Sequence, residues 1–150
     1  GGLIMNGSAS IPEGYTEAVR RSDSCEFARM LGMVVTGIED GRVRVTMPIK
    51  GTRNAHGTTH GGAIFAIADH AFGIAANMEG IDQIAISAHI RYFSVPAGDS
   101  LEAVARRVSE GEMTSVYAVD VYSADLLVAS FEGVGFRTGF PGKAVKPATR

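Results

Sequence analysis

Apolar positions follow two periods along this chain, and each change of period marks a change of element. Phe27, Met30 and Leu31 fall at helical spacing and predict a short amphipathic helix over 24–31. Residues 34–39 and 42–49 are short β-prone runs separated by Asp40-Gly41, a pair that supplies the positive backbone angles of a tight hairpin turn. Residues 63–76 are apolar on nearly every face and too many for one strand, so they predict a long helix that begins just after His60-Gly61-Gly62. The stretch 50–59 before it is rich in Gly, Asn, Thr and His without an apolar period, and reads as a loop that delivers polar groups to the helix start. Four more strands follow, over 84–93, 100–109, 114–122 and 126–137. Pro96-Ala97-Gly98-Asp99, Glu110-Gly111 and Ser123-Ala124-Asp125 connect them, short enough for antiparallel neighbours.

Two strands, one apolar helix and four strands make an α+β domain, a curved antiparallel sheet wrapped around one long central helix. A helix that is apolar all round must be buried all round, and one sheet covers only part of it; the remaining side calls for a partner. The folded domain is expected over 23–137, with 1–22 and 138–150 as flexible segments.

Composition narrows the partners. The chain has 150 residues, 45% hydrophobic and 20% charged, which suits one compact domain. A net charge of −2 with both signs interspersed provides no basic field for nucleic acid. Cys25 is the only cysteine, which excludes an internal disulfide framework and fits a reducing compartment. Gly1-Gly2-Leu3-Ile4-Met5 lacks the basic and apolar regions of a signal peptide and reads as an expression remnant, with Met5 as the native start. The apolar stretch 63–78 is interrupted by Asp69, His70 and Asn77 and falls short of the ~20 residues a membrane span needs. A soluble, cytoplasmic protein is expected.

Asp69 is the anomaly, a carboxylate in the middle of the apolar helix. Placing its charge in apolar surroundings is costly unless partners compensate, so it is either a satisfied structural acid or a functional one. Gly61 and Gly62 stand at the helix N-terminus, where backbone N–H groups lack internal partners and the dipole favours negative charge. Gly61 N–H is therefore the leading donor for an oxyanion, with tight packing as the competing reason for both glycines. Asn54 is either an amide donor in the same pocket or a turn former, and His60 either positions a ligand or caps the helix. His56 and His60 are four apart, but no convincing third ligand accompanies them and no metal is expected. On the strand after the helix, alternation assigns Ala85, Ser87, His89 and Arg91 to one face and Ile84, Ile86, Ala88 and Ile90 to the other. No Gly-x-Ser-x-Gly elbow, Walker loop or dinucleotide fingerprint occurs.

The order Asn54-x-x-Gly57-x-x-His60-Gly61-Gly62, followed by Asp69 and Asn77, resembles the hotdog-fold thioesterases of the phenylacetate-pathway (PaaI-like) group. The resemblance continues through Ser87, Tyr92, Pro96 and Gly98-Asp99 and spans roughly residues 27–137. It implies hydrolysis of an acyl-coenzyme A thioester without metal or added cofactor, coenzyme A being part of the substrate, with aryl or short to medium acyl groups. It also implies a homodimer with the site at the subunit interface, and a dimer of dimers. Asp69 would be nucleophile or general base, with Gly61, Asn54 and His60 in the same site and Ser87 holding the attacking water or Asp69. Gly62, Phe65 and Phe72 would line the substrate, and Arg91, among several arginines, would meet the coenzyme A phosphates. A non-catalytic acyl-coenzyme A binder is the alternative. Gly61 and Asp69 are eight residues apart, about 12 Å at ~1.5 Å per residue, too far to share one carbonyl within one chain. A site built from two subunits removes that difficulty.

Overall fold

The structure is a computed structural model that describes residues 3–6 and 9–138. Its elements in chain order are strands β1 (Leu3–Asn6) and β2 (Ala9–Pro12), a 3-10 turn (Glu13–Tyr15), helices α1 (Thr16–Asp23) and α2 (Glu26–Leu31), strands β3 (Val34–Glu39) and β4 (Arg42–Pro48), helix α3 (Gly61–Asn77), and strands β5 (Gln83–Tyr92), β6 (Ser100–Glu110), β7 (Thr114–Ser123) and β8 (Leu126–Arg137). Among the described residues the strands form one sheet in the order β1-β2-β3-β4-β6-β7-β8-β5. All its pairings are antiparallel except that of β2 with β3.

The sheet curls around α3, and the physical reason is in the helix itself. Ten of its 17 residues are buried, and they meet the inward positions of the strands: Val43, Val45 and Met47 of β4, Leu101, Ala103 and Ala105 of β6, Val119 and Val121 of β7, Phe131 of β8. Alternate residues of those strands face out, as a half-buried sheet requires. The Asp40-Gly41 turn is as expected, with φ of 50° and 72° at its two corners.

Three expectations are corrected. The helix expected over 24–31 is the shorter α2, and α1 precedes it; the boundary drawn between residues 22 and 23 falls inside α1, which packs on α3. Segment 1–22, expected to be flexible, includes β1, β2 and most of α1, whereas residues 139–150 of the expected tail lie outside the described residues. Finally, β5 and β6 are consecutive but not paired: β6 inserts between β4 and β7, and β5 crosses to the far side of β8. The loop over 93–99 spans that crossing, so β5 becomes an outer edge of the sheet.

Candidate active site at the open side of the central helix

The loop before α3 is organised by Asn54. Its Oδ1 accepts hydrogen bonds from the backbone N–H of His56 (3.0 Å) and Thr58 (3.1 Å) and from the Thr58 hydroxyl (3.2 Å). Gly57, at φ 78°, takes the left-handed corner that this turn needs. The turn-forming role of Asn54 is thus real, and it leaves the Nδ2 amide uncommitted among the described residues. His60 N–H donates to Thr52 O at 2.8 Å and hands the chain to the helix. At φ −62° and ψ 135° His60 is the N-cap, with Nδ1 accepting from Gly62 N–H at 2.8 Å. Ala63 and Ile64 N–H both turn to His60 O. Of the first helical donors only Gly61 N–H is left without a partner among the described residues.

The glycines also have packing reasons. A Cβ on Gly62 would lie 2.9 Å from His60 Nδ1, and one on Gly61 would lie 3.4 Å from the ring of Tyr92. The Tyr92 hydroxyl donates to Gly61 O at 3.1 Å, pinning the first helical turn to β5. Tyr92 was seen only as part of the resemblance; its role here has no signal in local sequence because it depends on β5 passing the helix start.

Asp69 lies on the side of α3 that the sheet leaves open. It is exposed in the isolated chain and has no hydrogen bond or ion pair among the described residues. Even so, the apolar surroundings strip enough water to push its carboxyl above the usual carboxylate range. Next to it, His70 Nε2 shares a 2.9 Å hydrogen bond with the Ser22 hydroxyl of α1. Burial pulls the His70 pKa below its ordinary value, against a weaker pull upward from Asp23, so the ring adds no cation to lower that of Asp69. A cavity of about 450 Å³ opens beside Asp69 between α3, α1 and the start of β5.

Comparison with known proteins shows the family of the chain. The Thioesterase superfamily description matches residues 56–130. The acyl-coenzyme A thioesterase PaaI of Escherichia coli K12 is 33% identical over 125 residues, covering 81% of this chain and 88% of its own. The chain belongs to the PaaI-like hotdog thioesterases. The solved structure of the E. coli PaaI protein, from the phenylacetic acid degradation operon, superposes with a TM-score of 0.79 at 30% identity over 84% of this chain and 94% of that one. A mutant of the phenylacetic acid degradation protein PaaI of Thermus thermophilus superposes at 0.71 and 35% identity, over 75% and 99%.

In this thioesterase the remaining predicted residues fall in different places. Phe65 is half-buried, edge-on to Phe131 at 5.4 Å between ring centroids. Phe72 is a core residue, 2% exposed and packed on Tyr117 and Phe131; only its edge reaches a smaller cavity beside Asp69. It therefore packs in the core and also borders that cavity, and a Cβ on Gly133 would collide with its ring at 2.9 Å. Gly62 N–H is taken by His60, which removes it as a ligand donor. The face assignment of β5 is also corrected. A bulge between Ala85 and Ser87 breaks the alternation, so Ala85 pairs with Gly135 and shares the helix side with Ala88 and Ile90, opposite Gly133 and Phe131. Ser87 pairs with Val134 on the outer face and is exposed there, as are His89 and Arg91; within one chain Ser87 does not face Asp69. Arg107 is engaged by Glu79 and Glu110, and Arg137 by Glu110, whereas Arg91 has no ion-pair partner among the described residues. Among those residues no helix is long and apolar enough to cross a membrane.

Proposed function

We propose that this thioesterase hydrolyses acyl-coenzyme A to free acid and coenzyme A at a site completed by two copies of the chain, Asp69 of one facing the Gly61 end of α3 in the other. The observation that carries this reading is that α3 is one unbroken helix from Gly61 to Asn77, holding the two groups about 12 Å apart at ~1.5 Å per residue. No carbonyl spans that distance. A two-fold axis brings an Asp69 to each Gly61 and covers the open side of both helices.

The edge of the sheet supports the same assembly. β5 is ten residues long, lies at the margin, and exposes Ile84 (56%), Ile86 (56%) and, just beyond its end, Phe93 (54%). Such an edge carries unpaired backbone groups and invites pairing with another strand. A second β5 running antiparallel is a self-complementary occupant, and it brings another Ser87 toward the site that its own chain keeps it from. A further pairing of dimers belongs to the same proposal.

In the reaction Asp69 acts as general base, and burial, by raising its pKa, makes it a stronger proton acceptor than an ordinary carboxylate. Water gives its proton to Asp69 and attacks the thioester carbon. The carbonyl electron pair moves to oxygen, where Gly61 N–H and Asn54 Nδ2 donate to it. Collapse of that intermediate breaks the carbon–sulfur bond, and the coenzyme A thiolate leaves to take up a proton. His60 holds the donor end of the site by capping it, and Arg91 is available to the coenzyme A phosphates.

Free-thiol release from a set of aryl and aliphatic acyl-coenzyme A esters tests the reading, with Asp69→Asn expected to lose about a thousandfold in kcat. Hydrolysis of no ester by the wild type would refute it. A single turnover in ¹⁸O water tests the role of Asp69: label in its carboxyl makes it the nucleophile, through a mixed anhydride that water opens at the Asp69 carbon.

A further inference from the structure

Gly73 stands one turn beyond Asp69 on the open flank of α3, where two cavities meet. One, of about 450 Å³, lies between α3, α1 and the start of β5, and the other, of about 200 Å³, lies between α3 and β5. Asp69, Gly73, Asn77, Gln83 and Ile84 border both. Glycine in a helix interior is less stable than alanine, so a close neighbour or an unusual backbone angle normally accounts for it. Neither applies at this position. Gly73 has an ordinary helical backbone, and a Cβ on it would meet nothing within 4 Å. Gly62 and Gly133 differ, since their missing side chains make room for His60 and Phe72. Nothing within the described part of the chain uses the space over Gly73.

We propose that this space receives the acyl group of the thioester, and that Gly73, with α1 as the facing wall, sets how large that group can be. The inference rests on Asp69 being the carboxylate at the reacting carbon. The wall is fixed by the Ser22–His70 hydrogen bond, which ties α1 to α3 within one residue of Asp69. Ala18, Cys25, Ile74 and Ile84 give the larger cavity its apolar lining. Among the described residues Arg21 is the one Lys or Arg side chain bordering it and lies 3.6 Å from Asp82, so none of them offers an unpaired guanidinium or ammonium to the cavity and Asp69 opposes a second negative charge. The group that fits is an uncharged aryl or medium-length acyl chain; a dicarboxylic acyl group is excluded by charge.

The test compares the wild-type chain with Gly73→Ala and Gly73→Leu. Hydrolysis is followed on acetyl-, octanoyl-, phenylacetyl- and succinyl-coenzyme A, and S-alkyl thioethers of coenzyme A of matching length are titrated by calorimetry. In Gly73→Leu the ratio of kcat/KM for octanoyl over acetyl ester should fall about tenfold or more, with a smaller fall in Gly73→Ala, and the thioether affinities should lose their gain with length in parallel. Succinyl-coenzyme A should be the poorest of the four for the wild type. An unchanged length profile in both variants overturns the proposal. So does dissociation of the assembly by Gly73→Ala in light scattering, which would assign the space to a second copy. Length-dependent thioether binding that Gly73→Leu abolishes would uphold the pocket even if the wild type hydrolysed no ester, and the failure would then belong to the catalytic reading alone.

Discussion

At the first turn of α3 nearly every polar group has a partner inside the chain, while eight residues on, the Asp69 carboxylate has none among the described residues. The first turn is held by His60, by Tyr92 and by a loop wound around Asn54, and a single N–H, that of Gly61, is left over. The middle of the helix is the reverse: an acid with a raised pKa, a glycine with empty space above it and two cavities meeting between them. Internal hydrogen bonds preorganise the donor half, which under the proposed mechanism would cost no reorganisation when charge develops on a bound carbonyl. The acid half has no such partners among the described residues, and the proposed assembly would supply them from substrate and a second copy.

The sharpest way to break this contrast is to destroy one half in each of two subunits. Asp69→Ala should cost about a thousandfold and Gly61→Pro about a hundredfold in kcat. Proline is suited to the first helical position and His60 already has the extended angles that precede it, so the second change removes the N–H while keeping the helix. Mixed and re-equilibrated, the two inactive proteins should regain roughly a quarter of wild-type activity, because half the dimers are mixed and each of those has one intact site of two. No recovery despite verified subunit exchange would mean that both halves act within one chain.

A smaller effect separates the halves by pH. A carboxyl whose folded pKa lies above its unfolded value binds more protons when native, so stability falls as pH rises from the unfolded to the folded pKa, and the cost is fully present above the folded pKa. Asp69→Asn should therefore raise Tm at pH 7, with the gain shrinking as the pH is taken down through that window. A gain independent of pH would show that Asp69 is fully hydrated. At the donor end the smallest change is expected: His60→Ala should lower stability by about 1 kcal/mol through loss of the cap, a Tm shift of a few degrees in thermal unfolding.

Much of this was readable in residue order. The length of the apolar run announced α3, the Asp40-Gly41 pair its hairpin, and the Asn-x-x-Gly-x-x-His-Gly-Gly turn followed by Asp69 announced a donor end and an acid on the same helix. Errors came where partners are distant in sequence. The alternation along β5 broke at a bulge, and α1, short and largely polar, revealed its packing face only once α3 was beside it. Of the two alternatives visible for Asn54, the structure shows its oxygen building the turn, while its amide has no partner among the described residues.

Local periodicity and turn chemistry, which act between residues a few positions apart, determined the elements and set Gly61 and Asp69 a fixed distance apart along one helix. Tertiary structure decided which side of that helix stays uncovered. The crossing that takes β5 past β8 to the sheet edge, the approach of Tyr92 to the helix start and the Ser22–His70 contact all join residues tens of positions apart. Such contacts depend on how the sheet curls around α3, and no short window of sequence contains the geometry that settles it. The same curl leaves Asp69, marked in the sequence only as a charge out of place, facing the empty space that a substrate and a second chain can fill.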